Sequence, residues 1–148
     1  MKLFRAATWA AALLIVNQPT IAKSDWDKKL AKGYHELAVG NTENAIVIFS
    51  SKVKSNSQSA ACHTALGRAY KRKGKLDEAK SEFKQATQLE PTYPDGFYEL
   101  GIIQESDGNY ANAVSAFERY LVLKPDASER RALEGRISYC KSKTNLSN

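Results

Sequence analysis

The hydrophobic pattern divides the chain into a short apolar run near its start and a long amphipathic remainder. Ala6 to Val16 is apolar but for Thr8, preceded by Lys2 and Arg5 and followed by the polar stretch Asn17-Gln18-Pro19. Beyond residue 22 the small and apolar positions recur with one step. Ala45, Ala79 and Ala113 lie thirty-four residues apart, as do Phe49, Phe83 and Phe117. Seven of the eight glycines fall on the same step, in the series Gly33, Gly67, Gly101, Gly135 and Gly40, Gly74, Gly108. Pro91 and Pro125 complete the register. A shared period of this length in three residue classes specifies a stacked array of helix pairs.

Each unit predicts two antiparallel helices. Gly67 and Ala79, on opposite sides of a turn at Gly74, carry so little side chain that the helices can approach closely. Phe83 and Tyr70, at helical spacing from them, fill the gap between one pair and the next. Gly74 is expected to end the first helix in a left-handed conformation, and Pro91 to interrupt the second. The period places units at about 26–59, 60–93 and 94–127, followed by a lone helix over 128–141 and a frayed tail over 142–148. Asp126 and Glu129 are spaced as a capping box for that last helix. Leu133, Ile137 and Cys140 or Tyr139 form its apolar stripe, and Arg130, Arg131, Glu134 and Lys141 its polar exterior.

The pattern Leu66-Gly67, Tyr70, Gly74, Ala79, Phe83, Ala86 and Pro91 resembles the tetratricopeptide repeat (TPR). The third unit matches in Phe97, Leu100-Gly101, Gly108, Tyr110, Ala113, Phe117 and Pro125, with Gln104 where Tyr70 predicts an aromatic ring. The first keeps Gly33, Gly40, Ala45 and Phe49 but places Lys32, Glu36 and Ser57 at usually apolar, aromatic and proline positions, as suits an end repeat. The resemblance covers roughly residues 25 to 141. It implies an all-α protein, a right-handed α-solenoid of three helix-turn-helix repeats with a C-terminal capping helix, and protein binding as the activity.

The first twenty-two residues read as a signal peptide: basic start, apolar run, polar stretch, and Ala22 available for cleavage before Lys23. The apolar run is too short for a bilayer, although an uncleaved anchor is the rival reading. The expected location is therefore outside the cytoplasm, periplasmic or secreted. Two cysteines, Cys62 and Cys140, fall two repeats apart, about 20 Å at ordinary helix spacing. That is too far for an intrachain disulfide, so two shielded thiols are expected. Of 22 basic and 16 acidic residues, Lys2 and Arg5 belong to the leader, which leaves a mild positive excess. The densest basic run, Lys71, Arg72, Lys73 and Lys75, straddles a helix end where cations complement the dipole, so no nucleic-acid partner is expected.

No catalytic constellation stands out. His35 and His63 have no nucleophile and acid arranged about them, the glycines do not cluster into a phosphate loop, and no cofactor or metal is expected. The resemblance instead implies a concave groove lined by the first helix of each repeat. Stepping by thirty-four along that face gives Leu30, Thr64, Tyr98 and Ala132, then Tyr34, Arg68, Ile102 and Arg136, then Leu37, Lys71, Glu105 and Tyr139. The lysine and asparagine set with which some TPR proteins grip a chaperone's terminal carboxylate is missing, since Leu30 and Tyr34 stand in its place in the first repeat. The expected function is a non-enzymatic adaptor holding a peptide segment of a partner, in the cell envelope. The alternatives are a self-associating structural module and an accessory subunit of an envelope complex.

Overall fold

A computed structural model describes residues 20–145. The described residues form seven helices: α1 (Thr20–Ala38), α2 (Thr42–Ser55), α3 (Ala60–Arg72), α4 (Leu76–Leu89), α5 (Pro94–Ser106), α6 (Tyr110–Leu123) and α7 (Arg130–Asn145). No strand occurs among them. Each helix packs on its neighbours in sequence, and the odd-numbered helices also meet, α1 with α3 and α3 with α5.

The turn within each pair is built once and used three times. Gly40, Gly74 and Gly108 have φ of 89°, 80° and 74°, a region that costs L side chains but not glycine. The following residue donates its N–H back across the turn, Asn41 to Glu36 at 2.8 Å, Lys75 to Tyr70 at 3.0 Å and Asn109 to Gln104 at 2.8 Å. This is the six-to-one bond that satisfies a carbonyl left open at a helix end. Pro91 and Pro125 lie beyond the ends of α4 and α6, and their carbonyls accept from Arg119 at 2.9 Å and Arg130 at 2.8 Å.

The helices of each pair touch through a glycine and a phenylalanine. A Cβ placed on Gly33, Gly67 or Gly101 would lie 2.3 Å from the Phe49 ring, 2.5 Å from Phe83 or 2.6 Å from Phe117. All three rings are fully buried, as are Ala45, Ala79 and Ala113. Each buried ring contributes about 1.5–3 kcal/mol. Phe83 also reaches Leu100 and Ile103 of the next pair, and Phe117 joins Leu133, Ile137 and Cys140 of α7, so the same rings cement neighbouring pairs. Tyr70, half-buried, packs against two of the clusters.

Gly135 keeps the register without its aromatic partner: nothing lies within 4 Å of where its Cβ would be. Around it, Glu134 stands one period after Leu66 and Leu100, Arg131 after His63 and Phe97, and Ser138 after Tyr70 and Gln104. Glu134, Arg131 and Ser138 are exposed. The face that mates with a second helix in the earlier pairs is thus polar in α7, and Leu133, Ile137 and Cys140 dock the helix onto α6.

Three local expectations differ from the structure. The capping box of Asp126 and Glu129 does not form. Helix α7 begins at Arg130, and the Glu129 carboxylate instead accepts from the Tyr120 hydroxyl and, at 2.9 Å, from Ser128 Oγ. The helix continues to Asn145 rather than ending at 141: Ser138, Ser142 and Thr144 turn their hydroxyls back onto helix carbonyls at 2.7–3.0 Å, and Lys143 and Thr144 remain half-buried. At the other end α1 already includes Thr20-Ile21-Ala22, the expected close of the leader, whose residues 1–19 lie outside the described residues.

Candidate functional site

The first helices present the expected groove positions in two groups. In one, Tyr34 on α1 sets its ring edge-on to Phe49 of α2 at 5.3 Å. Its hydroxyl accepts from Arg68 Nη1 at 3.5 Å. Arg68, which directly follows the α3 glycine Gly67, donates from Nε to Glu99 Oε1 at 2.7 Å and from Nη2 to Asp95 Oδ2 at 3.1 Å. The second oxygen of Glu99 accepts from Lys71. Burial works against the Arg68 charge, but bonding and attraction to Glu99, with Tyr34 adding to both, outweigh it and push the pKa up.

Glu105, Arg136 and Ile102 make the second group, between α5 and α7. Arg136 donates from Nε to Glu105 Oε2 at 2.7 Å, with Nη2 at 2.6 Å from the same oxygen, and its guanidinium lies 5.5 Å from the Phe117 ring centre. Ile102 packs against the cluster around Phe117. Tyr98 stands between the groups, its ring 5.3 Å from that of Tyr120. Tyr139 is the most open, 48% exposed, and meets Tyr110 edge-on at 6.1 Å.

Not every position on the stepped face lines it. Leu37 and Thr64 are buried, because Leu37 belongs to the core under α2 and Thr64 is fully enclosed among helices. Leu30 is half-buried and Ala132 exposed. Of the basic run at the end of α3, Arg72, Lys73 and Lys75 are exposed and only Lys71 is drawn inward. Lys71 turns into the network at Glu99, Lys73 reaches Glu43 at 2.7 Å and Lys75 reaches Glu78 at 3.0 Å, while Arg72 is exposed.

Three participants escaped the sequence pattern: Glu99, Asp95 and Tyr93. Glu99 is 5% exposed and occupies the column of Ala65 and Leu133, so a carboxylate in an otherwise apolar column was the available signal. Tyr93 is half-buried beside Asp95, and burial, then that charge, lifts its hydroxyl to about 12. His63 is buried in a different place, with Nδ1 2.7 Å from Glu82 and Nε2 3.0 Å from the Ser57 carbonyl. Cys62 and Cys140 are free and buried, and burial raises the Cys140 thiol above its ordinary value. Among the described residues no group of three His, Cys, Asp or Glu could hold a metal ion, and no helix is long and apolar enough to cross a membrane.

The glycine-to-phenylalanine contact repeated at each pair, on the thirty-four-residue step, decides the architecture. The fold is that of the tetratricopeptide repeat. Residues 64–128 match the sequence model of the tetratricopeptide repeat. The chloroplast TPR protein PYG7 of Arabidopsis thaliana is 35% identical over 86 residues, which are 55% of this chain and 29% of that protein. Superkiller complex protein 3 of the mouse is 24% identical over 119 residues, or 80% of this chain. The chain spans only 8% of that relative's length. Among solved structures, the Yersinia enterocolitica type III secretion chaperone SycD in complex with a peptide of the translocator YopD superposes with a TM-score of 0.71 at 15% identity, covering 87% of this chain and 99% of that one. The first TPR of Spaghetti (RPAP3), bound to the HSP90 peptide SRMEEVD, gives 0.72 at 19% identity, covering 84% and 95%.

Proposed function

We propose that this TPR protein is a non-enzymatic adaptor that holds a peptide segment of a partner in the groove formed by α1, α3, α5 and α7. The observation that carries the reading is the continuity of the first-helix face. Helix α1 meets α3 and α3 meets α5, Arg136 of α7 reaches Glu105 of α5, and Tyr34, Arg68, Tyr98, Ile102 and Arg136 stay half-exposed along them. Side chains that are fixed by neighbours yet open on one side lose little freedom when a ligand arrives, which favours binding. Structures of similar fold hold peptides of a translocator and of HSP90, which supports peptide capture as the activity of the shared fold.

We further propose an exported protein working in the cell envelope, in secretion, assembly or cofactor maturation. The basic start, the apolar run Ala6 to Val16 and the small residue Ala22 support this reading.

A photoreactive amino acid placed at Tyr98 in cells of the source organism tests the adaptor. Capture of one partner, abolished when Arg68 and Tyr34 are replaced by alanine, is the expected result. Capture that survives those replacements would place the contact elsewhere. Cell fractionation of the same strain tests the location: recovery in the cytoplasmic fraction with the leader intact would overturn export.

A further inference from the structure

We infer that the groove takes an uncharged segment carrying aliphatic or aromatic side chains, and that it turns away acidic tails. The inference rests on the groove reading above and adds the chemistry of the occupant. Three cations stand among the groove positions and could in principle meet a ligand's carboxylates or peptide carbonyls: Arg68, Lys71 and Arg136. Each already has an acid from a neighbouring repeat. Glu99 takes Arg68 and Lys71, with Asp95 on the other side of the Arg68 guanidinium, and Glu105 takes Arg136. Three positive and three negative charges leave the lining neutral.

These pairs are built in. The Glu99 side chain is 7% exposed and Glu105 16%, so their carboxylates cannot swing into water to release the cations. A ligand carboxylate that approached Arg68 would meet Glu99 and Asp95 at the same guanidinium, and a buried Glu99 without its partners would be left uncompensated. An acidic tail therefore gains little attraction and meets repulsion. What the face still offers is apolar surface, the open sides of the Tyr34, Tyr98 and Ile102 side chains. Apolar contacts on rigid aromatic side chains supply the binding, and charge pairing is spent inside the protein.

Panning a random dodecapeptide library on the purified chain, followed by calorimetry with the selected peptides, tests the inference. The expected winners have no net charge and contain aliphatic or aromatic residues. Their affinity should change less than about two-fold between low and high salt, as uncharged contacts do, and fall at least about ten-fold in Tyr98→Ala. Glu99→Gln frees Arg68 and Lys71 and should turn selection toward Asp- and Glu-rich peptides. Asp95→Asn gives the same shift in smaller degree and serves if Glu99→Gln does not fold, as judged by circular dichroism. Acidic winners on the unaltered protein, salt-sensitive and lost in Tyr98→Ala, would overturn the inference while keeping the groove. Winners indifferent to Tyr98→Ala, or none at all, would overturn the groove reading itself.

Discussion

Glu99 clasps Arg68 across a repeat boundary, its Oε1 2.7 Å from the arginine Nε, while its other oxygen holds Lys71. A carboxylate with two cationic partners and almost no contact with water acts as a bolt between α3 and α5. Removing its charge leaves Arg68 with Asp95 alone and Lys71 with none of this pairing. Breaking a fully buried pair costs about 3–5 kcal/mol, but Arg68 and Lys71 are roughly a third exposed and solvent screens the loss. Glu99→Gln should therefore destabilise by about 1–2 kcal/mol in urea unfolding. Stability equal to that of the parent would show that the clasp adds nothing.

The glycines make opposite predictions at two sites on one register. Gly67→Ala drives a Cβ to 2.5 Å from the buried Phe83 ring, and such overpacking costs about 1–3 kcal/mol. Gly135→Ala meets nothing and replaces a poor helix former within α7, for a gain of about 0.5–1 kcal/mol. Thermal unfolding of the two variants, one lower and one higher than the parent, checks both signs.

This contrast shows what the sequence could and could not reveal. The contacts Gly33 to Phe49, Gly67 to Phe83 and Gly101 to Phe117 were legible because both partners repeat on the same step. Glu99 stands out on that step only as an acid in the apolar column of Ala65 and Leu133, and the step does not say that its partners lie in the preceding repeat. Its separation from Arg68 is thirty-one residues, and Glu105 and Arg136 show the same separation with the charges reversed. The groove residues named from the register were legible as positions. Their pairing depends on how one repeat leans on the next, and a single repeat's pattern carries no record of that. The Asp126–Glu129 spacing misled because the buried Tyr120 hydroxyl competes for the Glu129 carboxylate.

Stability should fall on acidification. Glu36, Glu43, Glu78 and Glu129 are all held below the ordinary 4.5, each chiefly by side-chain hydrogen bonds, from Asn41, Lys73, Lys75 and Tyr120 respectively. A carboxylate lowered in the folded state stabilises fully above its unfolded value and loses that contribution as pH falls through the folded one. The melting temperature is thus expected to hold near neutrality and to decline below 4.5. Tyr120→Phe, which removes the largest cause at Glu129, should make the decline shallower; an unchanged slope would deny that bond its role.

Gln104 marks a place where repeat three departs from repeat two. Its Oε1 is buried without a hydrogen-bond partner, beside a cavity of about 220 Å³ lined by Phe97, Leu100, Asn112, Ser115 and Ala116. Tyr70 fills the equivalent position one repeat earlier. Gln104→Leu relieves the unpaired oxygen and should raise stability by about 1 kcal/mol. A loss in chemical denaturation would indicate that the amide is satisfied in solution.

Calorimetry decides whether a partner segment sits on the first-helix face. The captured or selected peptide would be titrated into the parent protein, into Tyr98→Ala, and into Val122→Ala, which alters an exposed side chain on α6. Tyr98→Ala is expected to lose at least about ten-fold in affinity and Val122→Ala nothing. Undiminished binding to Tyr98→Ala would contradict that placement.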